Sequence, residues 1–211
     1  MHSWLGGVTL VLSLVMIVLA LVTIMLKVKN RKIIVIKVLT TSCAVLIGVL
    51  NSSRFEWFIV LGLISGAIGD AFMEKPERFL QGMLAFLLGH ILYCVGFGLK
   101  FTVPSVWVFL SVFVVLVILY LAILFKHLGN MKLPIFVYLV AIGTMFSFTF
   151  SALHEDISSL RVLLPIAGGL FVVSDFLIAV DRFVRRVPAR DVLILGTYFI
   201  SQLFISLSTV L

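Results

Sequence analysis

The sequence predicts an all-α protein, a polytopic transmembrane helix bundle of eight spans with both termini on the non-cytoplasmic side. Composition is the first reason. Of 211 residues, 63% are hydrophobic and 12% charged, whereas a soluble domain has roughly 45–50% apolar and about 25% charged residues. The second is spacing: apolar runs of about 20 residues recur along the whole chain, the length that crosses a hydrocarbon core of roughly 30 Å. The third is the alternation of basic loops, which orients the spans. Together these predict one transmembrane domain over 1–211, with no soluble domain and no linker.

Span 1 covers 5–26. No basic residue precedes it and KVKNRK (27–32) follows it, a pattern that argues for a retained span over a signal peptide and puts the N-terminus outside. Span 2, 33–50, is interrupted by Lys37. Lys37, Thr41, Ala44 and Gly48 recur at helical spacing and form one stripe of small and polar residues suited to face other helices. Lys37 either snorkels to the interface or points inward. Span 3, 55–73, carries Gly62, Gly66 and Asp70 four apart, so Asp70 belongs to the packed face. EKPER (74–78) then breaks the chain.

Span 4, 79–99, lines up Gly82, Phe86, His90, Tyr93 and Phe97 on one face. A buried histidine there is either a hydrogen-bonded structural residue or part of a site. Span 5, 104–125, is almost featureless and reads as lipid-facing scaffold. Span 6, 133–153, holds Tyr138 with Thr144, Ser147, Thr149 and Ser151, read as structural. The loop HEDISSLR, with His154, Glu155 and Asp156, reads as a solvated loop and not a metal site. Span 7, 160–180, contains Ser174 and Asp175, and span 8, 191–211, contains Tyr198 and Gln202 on one face.

Twelve lysines and arginines fall in the loops 1–2, 3–4, 5–6 and 7–8, against three in the opposite loops. That asymmetry places both termini outside. It also accounts for the net charge of +7 without a nucleic-acid partner. Cys43 and Cys94 lie in apolar runs without CxxC spacing and read as inert small hydrophobes. Asp70 and Asp175 stand 105 residues apart, each followed by an Arg-Phe pair (Arg78-Phe79, Arg182-Phe183), which suggests two parallel four-span halves.

The polar residues converge. At ~1.5 Å rise per residue, Asp70 and Asp175 lie roughly 5–8 Å inside the cytoplasmic face, Lys37 and Tyr198 roughly 6–10 Å, and His90 and Gln202 roughly 16 Å. All six fit one cavity opening toward the cytoplasmic leaflet. A charged residue at that depth costs at least ~2.5–3.5 kcal/mol on insertion scales. Two carboxylates close together in low dielectric cannot both ionise cheaply, so one holds a proton while the other stays anionic. That supplies an acid and a base, as in glycosidases, and suits hydrolysis through an oxocarbenium-like cation. The same aspartates would also serve as helix-locking acceptors. A zinc site wants three or more ligands, mostly His or Cys, and no HExxH, GxSxG, phosphate loop or dinucleotide fingerprint is present. No metal and no cofactor are expected.

The residues Lys37-x-Leu39-Thr40-Thr41, Gly69-Asp70-x-x-Met73, Phe79-x-x-Gly82-x-x-x-Phe86-x-x-Gly89-His90-x-x-Tyr93, Ser174-Asp175-x-x-x-Ala179-x-x-Arg182-Phe183 and Thr197-Tyr198-x-x-x-Gln202 form an ordered set. In that order they resemble the YhhN-like family of membrane proteins, which includes the lysoplasmalogenases. Lys37-Val38 departs from the Lys-Pro the family often has in span 2. The resemblance implies eight spans in a bacterial cytoplasmic membrane and hydrolysis of the vinyl ether bond of lysoplasmalogens to a fatty aldehyde and a glycerophospho-choline or -ethanolamine. On that reading Asp70, Asp175, His90 and Tyr198 are catalytic, while Lys37, Tyr93, Gln202 and Ser174 bind substrate. Lys37 and loop arginines would meet the phosphate. The partners are an ether lipid of the lysophospholipid type and the surrounding membrane lipid, with no obligate protein partner. A proton-coupled transporter using the same carboxylates is the alternative, and a structural subunit with polar stripes for partner helices is a third.

Overall fold

The computed structural model describes residues 3–53, 55–154 and 159–210. Eight α-helices follow one another: α1 Ser3–Val28, α2 Ile34–Asn51, α3 Trp57–Met73, α4 Phe79–Lys100, α5 Val106–Leu119, α6 Lys132–Thr149, α7 Ser159–Phe183 and α8 Arg190–Leu207. There is no strand among the described residues. The cluster Glu155 and Asp156 and the topology residue Arg54 lie outside the described residues.

Among the described residues, seven helices, counted with their flanking turns, are long and apolar enough to cross a membrane, against the eight spans expected. The chain is a multi-pass membrane protein. The shorter one is α3. Its 17 residues reach about 25 Å at ~1.5 Å each, short of a core of roughly 30 Å. The reason is local: Pro76 follows three residues after its end and cannot continue a helix.

Small residues let α3 pack closely on α4 and α8. A Cβ on Gly62 would lie 2.4 Å from a ring carbon of Tyr93, and one on Gly66 would lie 2.9 Å from Nε2 of Gln202. Without a hydrophobic driving force between helices in lipid, such close van der Waals approach is a main source of association. The helix α8 is the hub, touching α1, α2, α3 and α7. The faces predicted for α2 and α4 are the buried ones: Lys37, Thr41, Ala44 and Gly48 on α2, and Gly82, Phe86, His90, Tyr93 and Phe97 on α4. Ser147 and Thr149 of α6 are buried and bond to carbonyls of their own helix, Gly143 and Phe146.

The reading of span 5 as plain scaffold needs correction. The first part of α5 is largely exposed, but a π-helical turn follows at Tyr120–Leu124. The wider turn packs against α7 and buries Tyr120 and Leu124. Such turns inside α-helices occur often at functional sites, and this one lines the apolar cavity described below.

Candidate active site

Two carboxylates anchor the site, each with its own partners. Asp70, from the last turn of α3, is 1% exposed as a side chain. Its Oδ1 is 3.2 Å from Nζ of Lys37 on α2, and its Oδ2 accepts a hydrogen bond from the Tyr198 hydroxyl of α8 at 2.8 Å. Lys37 therefore points inward. Its ammonium also lies 3.4 Å from Glu74, which pairs with Lys27 at 2.6 Å. Partial burial pushes the Glu74 carboxyl up, but the two lysines outweigh it and hold it below the usual carboxylate range.

Asp175, about two turns before the end of α7, is more accessible, at 10% side-chain exposure. Its Oδ2 accepts from the Tyr138 hydroxyl of α6 at 2.5 Å and lies 3.2 Å from Nε2 of His90 on α4. His90 Nε2 is also 3.0 Å from the Tyr138 oxygen. The histidine ring is fully buried, with Phe171 edge-on to it at 4.7 Å. A proton on Nε2 satisfies this geometry, because both neighbouring atoms are oxygens with acceptor capacity. No described group bonds to Asp175 Oδ1.

Asp70 and Asp175, placed at equal depth by the sequence, have separate partners, and no hydrogen bond joins the two among the described residues. Phe86 and Phe171 stand edge-on to Tyr198, each at 5.7 Å, and pack between the two clusters. The remaining expected residues are structural in their contacts. Ser174 donates to the Ile194 carbonyl at 3.1 Å and so ties α7 to α8. The Tyr93 hydroxyl donates to Gln202 Oε1 at 3.3 Å, leaving the buried Gln202 Nε2 without a described partner. Lys37, expected to meet the phosphate, is occupied by Asp70 and Glu74.

Two cavities meet at Asp175. A polar chamber with about 1620 Å³ of empty space, its open mouth included, reaches Asp70, Glu74, Tyr198 and the arginines between the last turn of α7 and the first of α8. An apolar cavity with about 710 Å³ of empty space runs between Phe176, Leu116, Leu124, Ile135 and Leu139. Met73, Phe79, Phe86, Asp175 and Ile178 line both. Asp175 is the one ionisable side chain of the five. A polar and an apolar lining therefore meet at one carboxyl.

The YhhN family model matches residues 32–209. This chain belongs to the YhhN family. As a YhhN-family protein it is similar to lysoplasmalogenase TMEM86A of Bos taurus, with 35% identity over 72% of this chain and 65% of that protein. It is similar to lysoplasmalogenase TMEM86B of Rattus norvegicus, with 32% identity over 73% of this chain and 62% of the relative. It also matches the uncharacterized membrane protein YhhN of Escherichia coli O157:H7, at 26% identity over 71% of this chain and 73% of that one. The match thus spans less than two thirds of the length of the two mammalian relatives. No solved structure matches the chain.

Two site residues escape a reading of the YhhN-family sequence. Glu74 has a signal: it stands four residues after Asp70, hence on the same side of a helix. Tyr138 has only a weak one, that a tyrosine hydroxyl deep in an apolar run needs a partner.

Proposed function

We propose that this YhhN-family protein is a membrane hydrolase that cleaves the vinyl ether bond of lysoplasmalogens, releasing a fatty aldehyde and a glycerophospho-choline or -ethanolamine. The observation that carries the reading is the position of Asp175 where the polar chamber and the apolar cavity meet. In a lysoplasmalogen the vinyl ether is the bond between the glycerol head and the chain. A head in the chamber and a chain in the apolar cavity bring that bond to Asp175.

The chemistry asks for a proton and a water. Asp175 Oδ1 delivers its proton to the alkenyl carbon one removed from the ether oxygen. The C=C electron pair forms the new C–H bond, and an oxocarbenium remains on the ether carbon. The carboxylate left behind stabilises that cation and takes a proton from the attacking water, which regenerates the acid. The hemiacetal so formed releases the glycerol hydroxyl and the aldehyde. Tyr138 and His90 hold Asp175 Oδ2 and leave Oδ1 directed to the reacting atoms. The Asp70–Lys37–Tyr198 cluster backs the chamber wall with fixed charges and dipoles facing the developing cation. Both termini on the non-cytoplasmic side, with the chamber opening to the cytoplasmic leaflet, complete the proposal.

The test is aldehyde release by purified protein in detergent. Asp175→Asn abolishes turnover and Asp70→Asn lowers it. Near-normal rates in both variants, with folding intact, would sink the mechanism. Aldehyde release by neither wild type nor variant, with uptake into proteoliposomes instead, would sink the hydrolase reading itself.

A further inference from the structure

We infer that Arg182 and Arg186 form the subsite for the phosphodiester of a single-chain glycerophospholipid. The inference rests on the amphiphile reading of the two cavities and names the cations that hold its head.

Pairing singles these two arginines out. Lys27 and Lys37 are taken by Glu74 and Asp70. Arg190 is taken by Asp181 at 3.1 Å and Asp191 at 3.6 Å. Arg182 and Arg186 line the same chamber and have no ion-pair partner among the described residues. Arg182 is nonetheless positioned: its guanidinium lies 4.6 Å from the centroid of Phe79, and Phe79 lines both cavities and meets Phe183 edge-on at 6.0 Å. A guanidinium lying over an aromatic ring offers the ring its face and keeps the N–H fork at its own edge free for a phosphate.

Helix geometry supplies the spacing. Arg182 follows Asp175 by seven residues within α7, almost two turns, so both stand on one face with their Cα atoms about 10.5 Å apart along the axis. With phosphate at Arg182, the glycerol and its chain lead back along that face toward Asp175.

The experiment is equilibrium binding of a radiolabelled 1-alkyl-lysophosphocholine, whose saturated ether is not cleaved, to purified protein in detergent. The controls are 1-alkylglycerol, which lacks phosphate, and inorganic phosphate as competitor. Arg182→Gln and Arg186→Gln each weaken the phospholipid by about tenfold or more, the range of a lost charge-assisted hydrogen bond, while 1-alkylglycerol binds as before. Arg182→Lys keeps the charge but not the fork, and restores only part of the loss. Equal weakening of both ligands would mean a merely structural role, and no weakening of either would remove the subsite. Inorganic phosphate binding as tightly as the lysolipid would assign the arginines to free phosphate and overturn the lipid assignment. Because no turnover is measured, a protein that binds as expected yet hydrolyses nothing leaves the subsite standing and overturns the reaction alone.

Discussion

Tyr138 donates its hydroxyl proton to Oδ2 of Asp175 at 2.5 Å, across the α6–α7 interface. The bond fixes one carboxyl oxygen and leaves the other to the cavities. Tyr138→Phe keeps the ring and removes this donor. It is expected to lower kcat for lysoplasmalogen by about 10–100-fold, the range for a lost hydrogen bond to the carboxylate that forms as the proton leaves, with KM little changed. Steady-state aldehyde release checks this; an unchanged kcat would show that Tyr138 does not position the acid.

Lys37 and Asp70 make a buried pair, and breaking such a pair from one side costs about 3–5 kcal/mol because the remaining charge is stranded. Lys37→Met should therefore lower the thermal unfolding midpoint in detergent strongly. The double variant Lys37→Met with Asp70→Asn should recover part of the loss. A double variant as unstable as the sum of the two singles would mean that the pair is not coupled.

Gly62 touches the ring of Tyr93 so closely that no Cβ fits. Gly62→Ala must move either α4 or the ring, and overpacking of this kind costs about 1–3 kcal/mol. Loss of thermal stability is the expected result, together with slower turnover as the Tyr93–Gln202 contact shifts. Wild-type stability would mean that the α3–α4 interface relaxes freely.

At the opposite end of the bundle, Glu56 pairs with Lys100 at 3.0 Å and accepts from Ser53. Burial pushes this carboxyl up, but the Ser53 and Lys100 bonds outweigh it and hold it at about 2. Its folded value lies below its unfolded one, so its contribution is complete above the ordinary carboxylate range and is lost as pH falls through that range toward about 2. Wild type should lose more stability than Glu56→Gln between about pH 5 and about pH 3. Parallel melting curves for the two proteins would refute the role.

Much of the architecture is readable from residue spacing. The i, i+4 recurrence of small and polar residues on α2 and α4 names their inward faces, because a helix repeats every 3.6 residues and lipid rejects polar side chains. The same logic finds Asp70, His90, Asp175 and Tyr198 as residues that must meet something. It does not say which meets which. It pairs Asp70 with Asp175 by equal depth, whereas the structure gives one to Lys37 and Tyr198 and the other to His90 and Tyr138. It names Arg182 only as part of an Arg-Phe pair after Asp175, whereas its guanidinium lies over Phe79 beside the chamber.

By itself the sequence determined a multi-pass all-α membrane protein, its buried faces and the short set of residues too polar to lie in lipid. Hydrophobic length and helical periodicity are local properties, so a linear chain carries them in full. Only the tertiary structure decided the partners of each carboxylate and the meeting of a polar chamber with an apolar one at Asp175. Those depend on the rotation and neighbours of each helix. Close packing at glycines such as Gly62 and Gly66 sets them, between residues far apart in the chain.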